Sequence, residues 1–153
     1  MIPTPVACVV DASIGIKLVI TETLSTRAHD LFAHLAKAPA ARFWVPELFY
    51  IECANILWKH IQRSGYPLAD AQLSLSTLSA LALQRVSLPS LAANALAIAA
   101  HHGITAYDAC YVATAQHAGV PLVTADSKLV ARMSGSSYTV LDLASLTIPP
   151  VPP

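Results

Sequence analysis

Short apolar runs alternate with longer helical stretches along this chain, and that alternation restricts the fold more than any other feature. Val6 to Val10 is a continuous valine-rich run, the mark of a strand buried on both faces, and Asp11 ends it. Further short strands are expected at Phe43–Val45, Leu83–Leu88, Pro121–Thr124 and Tyr138–Leu143. Between them the spacing predicts helices. Ser13 stands at an N-cap position before Ile14–Ile20, and Ser25–Lys37 sets Ala28, Leu31, Phe32, Leu35 and Ala36 at three-and-four spacing before Pro39. Pro46 falls in the first turn of a long helix reaching about Arg63, closed by Gly65 and Pro67. Leu68–Leu81, a stretch from Leu91 to His102 capped by Ser90, another from Thr105 to His117, and Ser127–Met133 complete the set. Gly103 and Gly119 end two of these helices. Strands that alternate with helices require an α/β fold, a three-layer α/β/α sandwich around a mostly parallel five-stranded sheet. A single domain is expected over 1–147, followed by a proline-rich tail, 148–153, with four prolines in six residues.

The 153 residues suffice for one full core. Only 12% of them are charged, 55% are hydrophobic, and the formal net charge is zero, so the surface is poor in charge and some apolar side chains are expected to face a partner. A homodimer is the expectation. A neutral chain has no broad basic field, which leaves a nucleic-acid substrate to be held by a local patch. Cys8, Cys53 and Cys110 lack metal-ligand spacing and lie in apolar segments, as small core residues do in a reducing compartment. The start MIPTPVACVVDAS has no basic region ahead of its apolar stretch, and no window reads as a membrane span. A cytoplasmic protein with no membrane association is expected.

Four acids then draw the eye: Asp11, Glu52, Asp108 and Asp126, out of nine Asp plus Glu in all. In a parallel sheet the site lies at the carboxyl ends of the strands, where Asp11 and Asp126 both fall, and the helices bearing Glu52 and Asp108 start at the same edge. Taken singly, Asp11 and Asp126 read as helix caps and Asp108 as a first-turn charge on a helix dipole. Glu52 is different, because FYIECANILW is too apolar for a solvated face and a buried ionised Glu needs a partner. Two carboxylates about 4 Å apart repel by roughly 4 kcal/mol at an effective dielectric near 20, so a cluster of four calls for a cation. Oxygen donors suit Mg²⁺ or Mn²⁺, whereas zinc favours His and Cys. The pair His101 and His102 has no further ligand at zinc spacing and reads as the end of a helix.

The blocks VVDAS, PELFYIECANIL, AYDACYVATA and LVTADSKL resemble, in order and context, the signature segments of the PIN-domain family, and the likeness spans nearly the whole chain. VDAS followed by KLV and then a Glu is similar to the VapC toxins of bacterial toxin–antitoxin pairs. That resemblance implies a Mg²⁺- or Mn²⁺-dependent endoribonuclease whose metal and catalytic residues are Asp11, Glu52, Asp108 and Asp126. It implies RNA products with 5′-phosphate and 3′-hydroxyl ends, and a cognate VapB-like antitoxin whose C-terminal segment covers the acidic pocket. Ser13 and Thr124 match hydroxyls beside the family's metal site, although a cap or strand-end hydrogen bond accounts for either. Asn55, three residues after Glu52, either orients that carboxylate or is a surface amide. Lys17, Lys59, Arg63, Lys128 and Arg132 are the cations nearest the acidic blocks, for phosphate contact or for solubility alone. The alternative is a non-catalytic PIN-like scaffold acting through protein–protein contacts. An aspartyl-phosphatase reading wants a second Asp two residues after Asp11, where Ser13 stands.

Overall fold

The computed structural model describes residues 2–153. Its strands are β1 (Ala7–Val10), β2 (Arg42–Pro46), β3 (Gln84–Val86), β4 (Leu122–Thr124) and β5 (Val140–Asp142). They form one sheet in the order β3-β2-β1-β4-β5, and every pairing is parallel. The helices are α1 (Ala12–Gly15), α2 (Ser25–Lys37), α3 (Leu48–Ser64), α4 (Leu68–Ser79), α5 (Leu88–His102), α6 (Ala106–Ala118) and α7 (Ser127–Met133), with a 3₁₀ turn at Ile16–Leu18.

The central position of β1 explains its composition. Cys8, Val9 and Val10 are fully buried because both faces of a middle strand are covered by helices. From β1 the chain steps outward through β2 to β3, then crosses back to β4 and on to β5. Right-handed crossovers place α1 to α4 on one face and α5 to α7 on the other, which gives the three-layer sandwich. The contacts agree: α6 packs on β1, β2 and β4 and α7 on β4 and β5, while α3 packs on β2, α1 and α4. On the α2 side, Phe32 meets Phe43 edge to face with ring centroids 5.0 Å apart.

Local chemistry moved several boundaries. Asp11, not Ser13, is the N-cap of α1, accepting from the Ile14 N–H, and the helix gives way to the 3₁₀ turn after one turn. Pro46 ends β2 instead of opening a helix, and α3 starts at Leu48; strand pairing with β3 holds it extended. α5 begins at Leu88 behind Ser87, with Pro89 in its first turn, where the missing N–H costs nothing. Ser90 donates instead to the Ser87 carbonyl, at 2.7 Å. Gly103 and Gly119 do end α5 and α6, each in the left-handed conformation that glycine adopts without strain.

Beyond β5 the chain carries no regular element, yet α2 holds it. Arg27 donates to the Leu143 carbonyl at 2.7 Å and to the Leu146 carbonyl, and His34 Nε2 lies 2.8 Å from the Pro149 carbonyl oxygen. No described helix is long and apolar enough to cross a membrane.

Candidate functional site

Strand order reverses between β1 and β4, the switch point where open parallel sheets leave a crevice beyond their carboxyl ends. Register places Val10 opposite Val123, so the next residues, Asp11 and Thr124, meet at the mouth of that crevice. Both carboxylate oxygens of Asp11 are engaged: Ser13 donates to Oδ1 at 2.5 Å and Thr124 to Oδ2, with the Ile14 N–H also on Oδ1 at 3.3 Å. The two hydroxyls are oriented from behind. Ser13 Oγ accepts from the Ala125 N–H at 2.9 Å and Thr124 Oγ1 from the Asp126 N–H at 3.0 Å, so each directs its own proton toward Asp11. Burial nevertheless dominates. It pushes the Asp11 carboxyl up to about 6, against the lowering influence of Ser13, Thr124 and Ile14, and the charge of Asp108 adds to the rise.

Glu52 projects from α3 and is half-buried. Its sequence surroundings demanded a partner, and the structure supplies one that no local pattern announces. Tyr111 on α6, almost wholly buried, donates its hydroxyl to Glu52 Oε2 at 2.7 Å. Burial raises the Glu52 carboxyl above the ordinary range, the Tyr111 hydroxyl opposes that rise, and the charge of Asp108 adds to it. Neighbouring Cys53 is buried and its thiol is pushed far up, chiefly by burial, so it is an inert packing residue.

Asp108 lies in the first turn of α6, behind the N-cap Thr105, whose hydroxyl accepts from the Asp108 N–H at 3.1 Å. Its carboxyl too is raised, first by burial and also by Asp126, while Thr105 pulls it down. Asp126 is the N-cap of α7, with Oδ1 accepting from Lys128 N–H at 2.9 Å and Leu129 N–H at 3.3 Å. Capping thus accounts for one of its oxygens. Asp108 is the hub of this set, since its charge reaches Asp11 and Glu52 and it feels that of Asp126.

All four acids line a single open cleft of about 890 Å³ together with Ser13, Asn55, Lys59, Tyr107 and Tyr111. Thr124 stands behind Asp11, fully buried. Asn55 is exposed on α3 at the cleft and makes no side-chain hydrogen bond among the described residues. Of the nearby cations only Lys59 lines the cleft. Lys17 is buried and paired with Glu22 at 2.9 Å, away from the cleft lining. Tyr111 and Thr105 are the site residues that sequence reasoning passed over as site residues. Tyr111 stands three residues after Asp108, the spacing that shares a helix face, but nothing in that spacing pairs it with Glu52.

The donor set is oxygen throughout, suited to a hard divalent cation and unsuited to zinc. Among the described residues no group of three or more His, Cys, Asp or Glu side chains is gathered closely enough to hold a metal ion. An open arrangement of this kind fits Mg²⁺ or Mn²⁺, because Mg²⁺ retains several waters and is bound through one or two carboxylates together with substrate phosphate.

A family model described as PIN domain matches residues 8–134. Ribonuclease VapC3 of Pyrobaculum aerophilum is 36% identical over 123 residues, covering 79% of this chain and 90% of its own. Ribonuclease VapC9 of Mycobacterium tuberculosis is 35% identical over 121 residues, covering 79% and 87%. Among solved structures, PAE2754 from Pyrobaculum aerophilum aligns with a TM-score of 0.62 and 26% identity over 91% of this chain and 85% of its own. VapBC2 from Rickettsia felis, bound to a promoter DNA fragment, aligns with a TM-score of 0.62 at 11% identity over 89% and 98%, a likeness of fold alone.

Proposed function

The chain belongs to the PIN-domain family, and on that premise we propose that it is a divalent-metal-dependent endoribonuclease of the VapC type. The observation that carries this reading is the meeting of Asp11, Glu52, Asp108 and Asp126 in one cleft at the switch point of the sheet. Curated relatives named as VapC ribonucleases support it. Asp11 and Asp108 are the first choice for direct ligands of Mg²⁺ or Mn²⁺, with Glu52 and Asp126 acting directly or through water. When bound, the cation would supply an acidified water and neutralise charge building on a phosphodiester.

The protein's own groups set the stage for that chemistry. Ser13 and Thr124 hold both oxygens of Asp11 by donation, so the carboxylate is fixed in orientation and favoured in its ionised form against the pull of burial. Tyr111 fixes Glu52 in the same manner from the opposite wall. Asp126 keeps one oxygen on the α7 backbone and lines the cleft. Asn55 and Lys59, exposed on α3, are placed to touch the substrate backbone.

The same reading brings a cognate VapB-like antitoxin that covers the cleft, a homodimer, a cytoplasmic setting and a single nuclease domain over 1–147. Ile51, Trp58, Leu68, Leu73 and Leu96 are large apolar side chains left exposed, which supports a protein partner. Asp11→Ala tests the nuclease reading. The purified variant is expected to fold and to cleave RNA at least about a hundredfold more slowly than the wild type, the scale set by losing several kcal/mol of charge stabilisation. Cleavage of RNA by Asp11→Ala at the wild-type rate would make the metal-site claim wrong.

A further inference from the structure

Arg27, in the first turn of α2, spends its guanidinium on main-chain carbonyls. Nε donates to the Leu143 carbonyl at 2.7 Å and Nη2 to that of Leu146. Among the described residues the only ion pair is Lys17–Glu22, so no carboxylate competes for the Arg27 fork. The two acceptors bracket a turn in which the Ser145 N–H donates to the Asp142 carbonyl at 3.2 Å and the Ala144 N–H to the Asp142 carboxylate at 2.9 Å. A rigid, planar fork of donors can hold both carbonyls at once, and its charge strengthens each bond.

That turn is one hydrogen bond away from the acidic site. The Leu143 N–H donates to the Thr124 carbonyl at 2.8 Å, just past Thr124 and Asp142, the last paired residues of the β4–β5 ladder. β5 is an edge strand of three residues paired on one side only, so this final rung has little to hold it from within the sheet. Burial of Leu143 and Leu146 presses the segment against the core but is non-directional, whereas the Arg27 fork fixes where Leu143 stands. Thr124 accepts the Asp126 N–H on its hydroxyl and donates that hydroxyl to Asp11 Oδ2. A continuous line of polar contacts therefore runs from α2, which contributes no residue to the cleft, through Leu143 and Thr124 to Asp11.

We infer that Arg27 is a positioning residue for Asp11, acting through Leu143 and Thr124. The inference rests on the ribonuclease reading and adds to it a residue from outside the cleft. A misplacement of about 1 Å in a reacting group costs on the order of a hundredfold in rate, so slack in the last rung of the ladder is enough to be read in kcat.

Steady-state RNA cleavage by wild type, Arg27→Ala, Thr124→Val and the double variant tests this, with folding checked by circular dichroism. Arg27→Ala is expected to lower kcat roughly tenfold and to change KM less than about twofold, the split expected when geometry is lost but substrate binding is kept. Arg27→Lys, a point charge without the fork, is expected to fall between Arg27→Ala and wild type. In the Thr124→Val background, Arg27→Ala is expected to change kcat less than about twofold, because the path to Asp11 is already cut. An unchanged kcat in Arg27→Ala, a loss confined to KM, or losses that multiply in the double variant each overturn the inference. Should Arg27→Ala fail to fold, Arg27→Lys takes its place in the same comparison. Should wild type cleave no RNA, the ribonuclease reading fails by itself, and positioning is then read from backbone amide chemical shifts of the metal-free protein. A moved Asp126 amide, the donor to Thr124 Oγ1, in Arg27→Ala supports the positioning path, and an Asp126 amide left at its wild-type shift overturns it.

Discussion

Tyr111 and Glu52, 59 residues apart in sequence, share a 2.7 Å hydrogen bond that joins α6 to α3 across the acidic cleft. The ring packs in the main core, and the hydroxyl, which makes this one hydrogen bond, holds the carboxyl down against burial. Tyr111→Phe therefore lets the Glu52 carboxyl rise further. The expected outcome is a loss of about tenfold or more in RNA cleavage at neutral pH, on the scale of one hydrogen bond to a charged group. The acidic limb of the pH–rate profile should also move to higher pH. A profile that keeps its position while the rate falls would assign Tyr111 to packing alone.

Asp11 gives a pH prediction whose direction follows from its raised carboxyl. The ordinary value is 3.8 and burial lifts it to about 6 in the folded protein, so the neutral form is favoured by folding. The stability this contributes is fully present below about pH 4 and is lost as pH rises through about 6. In metal-free protein, the unfolding free energy of wild type should fall relative to that of Asp11→Asn between pH 4 and pH 7, by up to about 3 kcal/mol. Urea denaturation of both proteins with a chelator present measures the difference. A gap that stays constant over that range would mean Asp11 titrates as an ordinary surface carboxyl.

Gly15 offers a purely steric test of how α1 is held. A Cβ there would lie 2.5 Å from Cζ and 2.7 Å from Cε2 of Phe49, a fully buried ring on α3. Gly15→Ala should cost about 1–3 kcal/mol by overpacking. It should also weaken cleavage by pushing Asp11 and Ser13 away from Glu52. Combining it with Phe49→Leu should recover part of the stability, and additive losses in the double variant would contradict the contact.

The segment after β5 depends on α2 for its place. Arg27→Ala removes donors to the Leu143 and Leu146 carbonyls, so hydrogen exchange and limited proteolysis should accelerate over 143–153 well before the sheet is affected. Unchanged protection there would show that the apolar contacts of Leu143 and Leu146 suffice. Deleting 148–153 removes only the His34–Pro149 contact among these polar ties and should cost about 1 kcal/mol.

What could be read from sequence was local or periodic. α2 and α7 were found to the residue because amphipathic spacing and a following breaker or cap are recorded in adjacent positions. Asp11 and Asp126 could be set on one edge because parallel strands share a direction. Pro46 was misplaced, since its fixed φ suits both a helix start and a strand end, and only pairing with β3 decides between them. Glu52 was assigned a metal because its sequence neighbours offered no counter-group; Tyr111 reaches it through tertiary packing that no local pattern encodes. Two of the caps line the cleft. Asp11 and Asp126 each cap a helix and also face the cleft, so the bland reading and the functional one were never exclusive.

The central claim is that these carboxylates hold a divalent cation, and calorimetric titration of Mn²⁺ into wild type and into folded Asp11→Ala tests it most directly. The account predicts saturable binding at or below millimolar metal in wild type and its loss in the variant. No binding heat at millimolar Mn²⁺ in wild type, or equal binding by both proteins, would contradict it.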